Sequence, residues 1–323
     1  MEYPLKNRYS KMWSRATPGY IIFLVDQSGS MRETYLECDT KANYAAMFIN
    51  RIINELININ TNGENVRDRV FISIIGYGGS GGDSVDSIRS DYLSQFCEVP
   101  LRVEYTKQKL SDGKGGIIEI TVSNPIFIEP VANGLTPMGR AFELAKILIE
   151  CWLSNNPISP APIVLNISDG LPRNSTETDE EAKAIIEANA IMSLPCKDGN
   201  PLIFNTHIGN CSHKYIFNTS ENEVLDDIVK FFLKISSDIP ESFIHHYLKF
   251  GLSLQYGSKG FVSNDPETFY TFFEHVLYGI FQDECCCRDE HNNIQQVKIY
   301  PFPNVEEIIN KMKNEVKNNN YKN

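Results

Sequence analysis

The chain has 323 residues, 42% of them hydrophobic, enough to bury a full core in one large domain or two smaller ones. Its formal net charge of −11 disfavours binding to nucleic acid, which needs a basic face. No apolar run approaches the roughly 20 residues of a membrane helix, Met1 to Arg15 lacks a signal-peptide core, and eight cysteines without a disulfide-like spacing point to a reducing cytoplasm.

The first element is the apolar run Tyr20 to Val25, which predicts a buried strand running out into Asp26-Gln27-Ser28-Gly29-Ser30. A carboxylate and two hydroxyls on alternating residues at a strand exit form half of a site for a hard cation such as magnesium, whose ligands are oxygens. Thiolate and imidazole ligands are absent from the run, which argues against zinc or copper. The same residues also read as an Asx-turn leading into a helix cap. Thr40 to Asn60 follows as a helix, with Ile49, Ile52, Ile53, Leu56 and Ile57 on one face. Val70 to Tyr77, rich in isoleucine, reads as a central strand. Strand, helix, strand is the start of a doubly wound, mostly parallel sheet flanked by helices.

Between Tyr77 and Asn133 the chain departs from that rhythm, in an insertion at about 78–133. Gly78-Gly79-Ser80-Gly81-Gly82 lacks the Gly-Lys-Ser/Thr ending of a phosphate loop and reads as a flexible turn. Leu101 to Tyr105 and Ile117 to Val122 alternate in polarity around Ser111-Asp112-Gly113-Lys114-Gly115-Gly116, which predicts an inserted antiparallel hairpin beside the following loop. Thr136-Pro137 then opens an amphipathic helix carrying Ala141, Leu144, Ala145, Leu148 and Trp152. Thr136 reads both as its N-cap and as a further oxygen ligand. Pro162 to Ile167 is a second buried strand, and Ser168-Asp169-Gly170 delivers a carboxylate at its end, where open parallel sheets place ligands.

The sheet resumes with a helix over Glu177 to Met192, a strand over Pro201 to His207, and a short final strand at Lys214 to Phe217. A mixed helical segment covers Glu223 to Ser237. Gly257 to Asn264 leads into an aromatic helix, Pro266 to Gln282, whose stripe of Tyr270, Phe273, Leu277, Ile280 and Phe281 reads as core. Residues 1–18 read as an N-terminal extension and 283–323 as a polar tail, with 19–282 as the domain. Cys285-Cys286-Cys287 near His291 lacks the paired spacing of a structural zinc site and reads as reduced thiols.

The order Asp-x-Ser-x-Ser, then Thr before a helix, then Ser-Asp-Gly resembles the metal-ion-dependent adhesion site of von Willebrand factor A domains. The resemblance covers about Gly19 to Gln282 and fills all five ligand positions: Asp26, Ser28, Ser30, Thr136 and Asp169. It implies the two serines and Thr136 as direct ligands of Mg2+, with Mn2+ or Ca2+ as alternatives, and the two aspartates acting largely through bound waters. It also implies a von Willebrand A, Rossmann-like α/β fold. Gly257 to Asn264 and the helix after it resemble the C-terminal part of intracellular bacterial von Willebrand A proteins, some linked with serine/threonine phosphatases and protein kinases.

These residues lead to the expectation of a cytoplasmic, Mg2+-dependent binding module that is not an enzyme. Its partner would be a protein donating an Asp or Glu to the metal, in bacterial stress signalling or defence, with neither nucleic acid nor membrane involved. A metal-dependent hydrolase is the alternative, with Glu33, Asp83 and Asp179 as the carboxylates nearest the loops. A purely structural ion is the third. None of His207, His213, His245, His246, His275 and His291 lies in a catalytic motif.

Overall fold

The computed structural model describes residues 8–35, 39–111, 116–175, 179–209, 214–217, 226–248 and 254–281. Strand β1 (Gly19–Asp26) is buried along its whole length. Ile21, Phe23 and Val25 enter one core, while Tyr20, Ile22 and Leu24 enter a second on the opposite face. A strand buried on both faces has no polar side, which explains the continuous apolar run. Helix α1 (Lys41–Asn60) packs on the first face, and Thr40 accepts a bond from the Asn43 amide as its N-cap.

Strand β2 (Val70–Tyr77) pairs parallel to β1, and β3 (Val85–Tyr92) adds antiparallel to β2 at one edge. After the short helix α2 (Leu93–Glu98), strands β4 (Arg102–Ser111) and β5 (Ile117–Ile126) pair only with each other, as the hairpin expected from the sequence. Asn50 of α1 fixes the hairpin's exit: its carbonyl oxygen accepts the Phe127 and Ile128 amides at 2.7 and 3.1 Å, and its amide donates to the Ile128 carbonyl at 3.0 Å.

The chain then crosses to the other side of β1. Helix α3 (Met138–Asn155) packs on the second face and leads to β6 (Ile163–Ser168), parallel to β1. Helix α4 (Glu180–Ser193) covers the same face, and β7 (Leu202–His207) pairs parallel to β6. The edge strand β8 (Tyr215–Ile216), helices α5 (Asp227–Lys234) and α6 (Glu241–Leu248), strand β9 (Phe261–Ser263) and helix α7 (Pro266–Phe281) complete the described chain. The seven strands run β8-β9-β7-β6-β1-β2-β3, with the inner five parallel and both edges antiparallel. This is the doubly wound, mostly parallel α/β sheet flanked by helices that the sequence predicts.

Four elements differ from the expectation. The Gly257 to Asn264 segment contributes β9, an inner strand of the sheet, and Tyr215–Ile216 is its antiparallel edge rather than the last strand. Strand β3 and helix α6 carried no legible signal. The α7 stripe is core: Phe269, Tyr270, Phe272, Phe273, Val276, Leu277 and Phe281 are buried, each large apolar side chain there contributing about 1.5–3 kcal/mol.

The described residues before Gly19 pack onto the domain. Asp198 accepts the Ser10 and Lys11 amides at 3.1 and 3.0 Å, and Trp13 sits edge-on to Phe281 at 5.9 Å between centroids. No helix among the described residues is long and apolar enough to cross a membrane. The Cys285–Cys287 triplet, His213, His291 and the tail from Asp283 lie outside the described residues, as does the tip of the hairpin turn.

Candidate metal centre

Strand order reverses about β1, which pairs with β2 on one side and β6 on the other. In open parallel sheets, crevices form outside the carboxyl ends of the strands at such a reversal. Asp26 ends β1, and Asp169 follows directly after β6.

Asp26 is wholly buried and held from two directions. Its Oδ1 accepts the Ser28 amide at 2.9 Å and its Oδ2 accepts the Ser168 hydroxyl at 2.6 Å. The first bond is an Asx-type turn, so the turn reading and the ligand reading describe one conformation. The Ser28 and Ser30 hydroxyl oxygens lie 3.1 Å apart, and Ser30 Oγ donates to Asp169 Oδ1 at 2.9 Å. Four of the five residues singled out in the sequence are thus joined in one hydrogen-bonded cluster, with Ser28 buried and Ser30 open to solvent.

Thr136 arrives on a neighbouring loop. Gly134 forms a parallel bridge with Ser28, and the Gly29 amide donates to the Gly134 carbonyl at 2.8 Å, which sets the Thr136 segment alongside Ser28 to Ser30. The capping role expected of Thr136 is not found: α3 begins at Met138, its N-cap is Pro137, and there is no side-chain cap bond. The backbone of Thr136 is instead tied to Arg173 by a reciprocal pair of bonds at 3.0 and 2.9 Å. Among the described residues its hydroxyl has no hydrogen-bond partner.

The glycine run that read as a flexible turn is a wedge that positions this loop. Gly78 has φ +86°, and a Cβ there would lie 2.2 Å from the Leu135 carbonyl oxygen. The Gly134 and Leu135 amides donate to the Gly78 and Gly82 carbonyls, each at 2.8 Å. Only a residue without a side chain permits such an approach in that backbone region.

Further residues, to which the sequence assigned no part in holding the cation, support the cluster. Ser168 orients Asp26. Lys41 Nζ donates to Asp169 Oδ2 at 2.8 Å and to Glu33 Oε2 at 2.6 Å. The His207 ring stands 3.2 Å from the Asp169 carbonyl oxygen and 2.9 Å from Ser263 Oγ. Beneath the cluster the polar groups are paired: Tyr77 donates to Asn166 at 3.0 Å, and Asn166 to Asn205 at 2.9 Å. Lys41 left one trace in the sequence, because a lysine in the first turn of a helix stands against the helix dipole.

Burial, and next to it the nearby Asp169 carboxylate, push the Asp26 carboxyl up to about 6, against the pull of its bonds from Ser168 and Ser28. Burial lowers the Lys41 ammonium, but its bonds to Asp169 and Glu33 outweigh this and leave it above its ordinary value. Burial holds His207 below its usual range. Two carboxylates held near each other, with hydroxyls beside them, are a donor set that fits a hard divalent cation: oxygen only, with a charge repulsion that a cation would relieve. The described residues contain no group of three or more His, Cys, Asp or Glu side chains placed to hold a metal, so two carboxylates and the neighbouring hydroxyls are the side-chain donors the cluster offers.

The carboxylates weighed for a hydrolase have other partners. Glu33 binds Lys41, Asp83 accepts the Ser175 amide at 3.0 Å and the Ser175 hydroxyl, and Asp179 caps α4 by accepting the Ala182 amide at 2.8 Å.

No family model and no curated protein matches the chain. Among solved structures it is similar to the manganese-loaded TRAP protein of Plasmodium vivax, at 16% identity and a TM-score of 0.30, over 60% of this chain and 59% of that one. It is also similar to the PilB minor pilin of Streptococcus sanguinis, at 9% identity and a TM-score of 0.44, over 85% and 63% of the two chains. A third is the vWF domain of the type V pili tip protein Mfa5 of Porphyromonas gingivalis, at 12% identity and a TM-score of 0.27, over 51% and 43%. The chain spans less than two thirds of the length of each. Likenesses this distant extend to no residue of the site.

Proposed function

We propose that this chain is a metal-dependent protein-binding module rather than an enzyme, with Asp26, Ser28, Ser30, Thr136 and Asp169 as the residues that hold the cation. The observation that carries the reading is the bond from Ser30 Oγ to Asp169 Oδ1, which closes a cluster of oxygen donors across 139 residues of sequence. Magnesium is the cation best suited to such donors, with manganese or calcium as alternatives. When bound, it supplies an electrophilic centre for an Asp or Glu carboxylate of a protein partner. Ser28, Ser30 and Thr136 bring oxygens without bringing charge, so they leave more of the ion's own charge for that carboxylate. Ser30 faces solvent, on the side from which a partner can approach. A cytoplasmic setting, a role in bacterial signalling or defence, and a phosphatase or kinase as partner belong to the same proposal.

The test is capture of protein partners from the native host, in magnesium and then in chelator, with parallel thermal melts. Asp26→Ala should abolish magnesium-dependent capture and leave a cooperatively folded chain, because Asp26 sits at the strand exit, outside the apolar layers. Thr136→Ala should weaken capture with little change in melting, since Thr136 makes no capping bond. If both variants capture as the parent does and chelator has no effect, the reading is wrong.

A further inference from the structure

Lys41 is the charged group at this site that a cation-binding role leaves unexplained. Its side chain is 6% exposed and that of Asp169 is 4% exposed, so the pair at 2.8 Å is withdrawn from water, whereas Glu33, the second partner, is 61% exposed. Helix α1 begins at Lys41 and carries no acidic residue in its first turn, so the ammonium sits at the helix end where positive charge is least favourable. Asp169 is consequently divided: Oδ1 accepts Ser30 and Oδ2 accepts Lys41.

We propose that Lys41 is a resident positive charge that holds down the divalent-cation affinity of the site and keeps a bound ion receptive to an anionic ligand. This rests on the cation-site reading above. Asp26 and Asp169 would give the site two negative charges, and the ammonium, shared with the largely solvent-exposed Glu33, offsets part of the charge on the buried Asp169. Affinity of oxygen sites for hard cations is tuned by the count of charged ligands, so Lys41 weakens ion binding. By the same charge balance it leaves the ion less neutralised, and a carboxylate from outside is bound more strongly. Lys41 is a positioning residue, acting through Asp169.

The experiment uses the full chain and Mn2+ alone, with affinity followed by calorimetry and by the paramagnetic resonance of free Mn2+ at fixed ionic strength. Lys41→Met keeps the length and apolar stem of the side chain and removes its charge. It should bind Mn2+ on the order of tenfold more tightly than the parent, the scale of one unit charge beside a partly solvated ion. Lys41→Arg, which keeps the charge, should stay within roughly twofold of the parent on the same argument. In chelator Lys41→Met should melt below the parent, because Asp169 has lost its partner, and Mn2+ should restore it. A merely structural lysine would lower melting with and without Mn2+ and leave the affinity unchanged or weaker, and that result overturns the proposal. Lys41→Gln, also neutral, carries the same expected sign if Lys41→Met fails to fold. Asp26→Ala separates the two failures. If the parent binds no Mn2+, or binds it as well with Asp26→Ala, the cation-site reading falls and this inference with it. If the parent binds through Asp26 and neither neutral variant binds more tightly, only the inference falls.

Discussion

Two glycines a few positions apart carry unequal burdens. Gly78 has φ +86° and backbone oxygen packed against the place where a Cβ would go, while Gly82 has φ +53° and nothing within 4 Å. Gly82→Ala therefore meets only the left-handed backbone penalty, on the order of 1 kcal/mol. Gly78→Ala meets that penalty and must also push the Leu135 carbonyl away, and with it the loop that presents Thr136. We expect its cost, read from urea unfolding, to exceed that of Gly82→Ala by about 1–3 kcal/mol, the range for a strained residue in a fixed surround. Equal midpoints for the two variants would mean that the loop yields freely and the wedge does not position it. The contrast was invisible in sequence, where five residues of Gly and Ser read alike. The ligand-type residues were visible, because Asp26, Ser28 and Ser30 are adjacent and Asp169 follows an apolar run. The roles of Lys41, Ser168 and His207 were not, since they exist only through contacts between distant elements.

At the scale of elements, legibility followed burial. Strands β1, β2 and β6 are buried on both faces and spell themselves out as continuous apolar runs. Strand β3, Val85–Tyr92, lies half-exposed at a sheet edge with three charged residues among eight, and no period-2 alternation survived. Strand β9 is three residues long, too short for any pattern, and its place in the sheet is set by pairing with β7. The hairpin was legible because both arms alternate around a glycine-rich turn. It stands apart from the main sheet, exposing Val103, Tyr105, Ile117 and Ile118, and its base is anchored by Asn50 and by the Asn54 side chain donating to the Pro125 carbonyl at 3.1 Å. Replacing residues 106–122 by a short Gly/Ser linker leaves those anchors in place. The melting temperature should stay within about 4 °C of the parent, the shift that about 1 kcal/mol gives in a domain of this size, while partner capture falls. Loss of a cooperative melt would show that the hairpin supports the core.

For the whole molecule, the sheet is what makes the site possible. Ser168 and Asp26 meet across 142 positions, and Ser30 and Asp169 across 139. Both contacts require β6 to have docked beside β1, after the β2 and β3 strands and the hairpin have been threaded between them in sequence. Such long-range closures must meet their entropic cost before the contacts reward it, and they form slowly. We therefore expect the oxygen cluster to form late in folding. A ligand that recognises only a late-formed feature leaves the folding barrier almost untouched and deepens the native well behind it. Saturating Mn2+ should then slow unfolding in urea by the full factor by which it stabilises the chain, and leave the refolding rate nearly constant. Faster refolding would instead place the β1–β6 junction in the transition state. A cation held there would act as a lock on the finished protein and not as a template for making it.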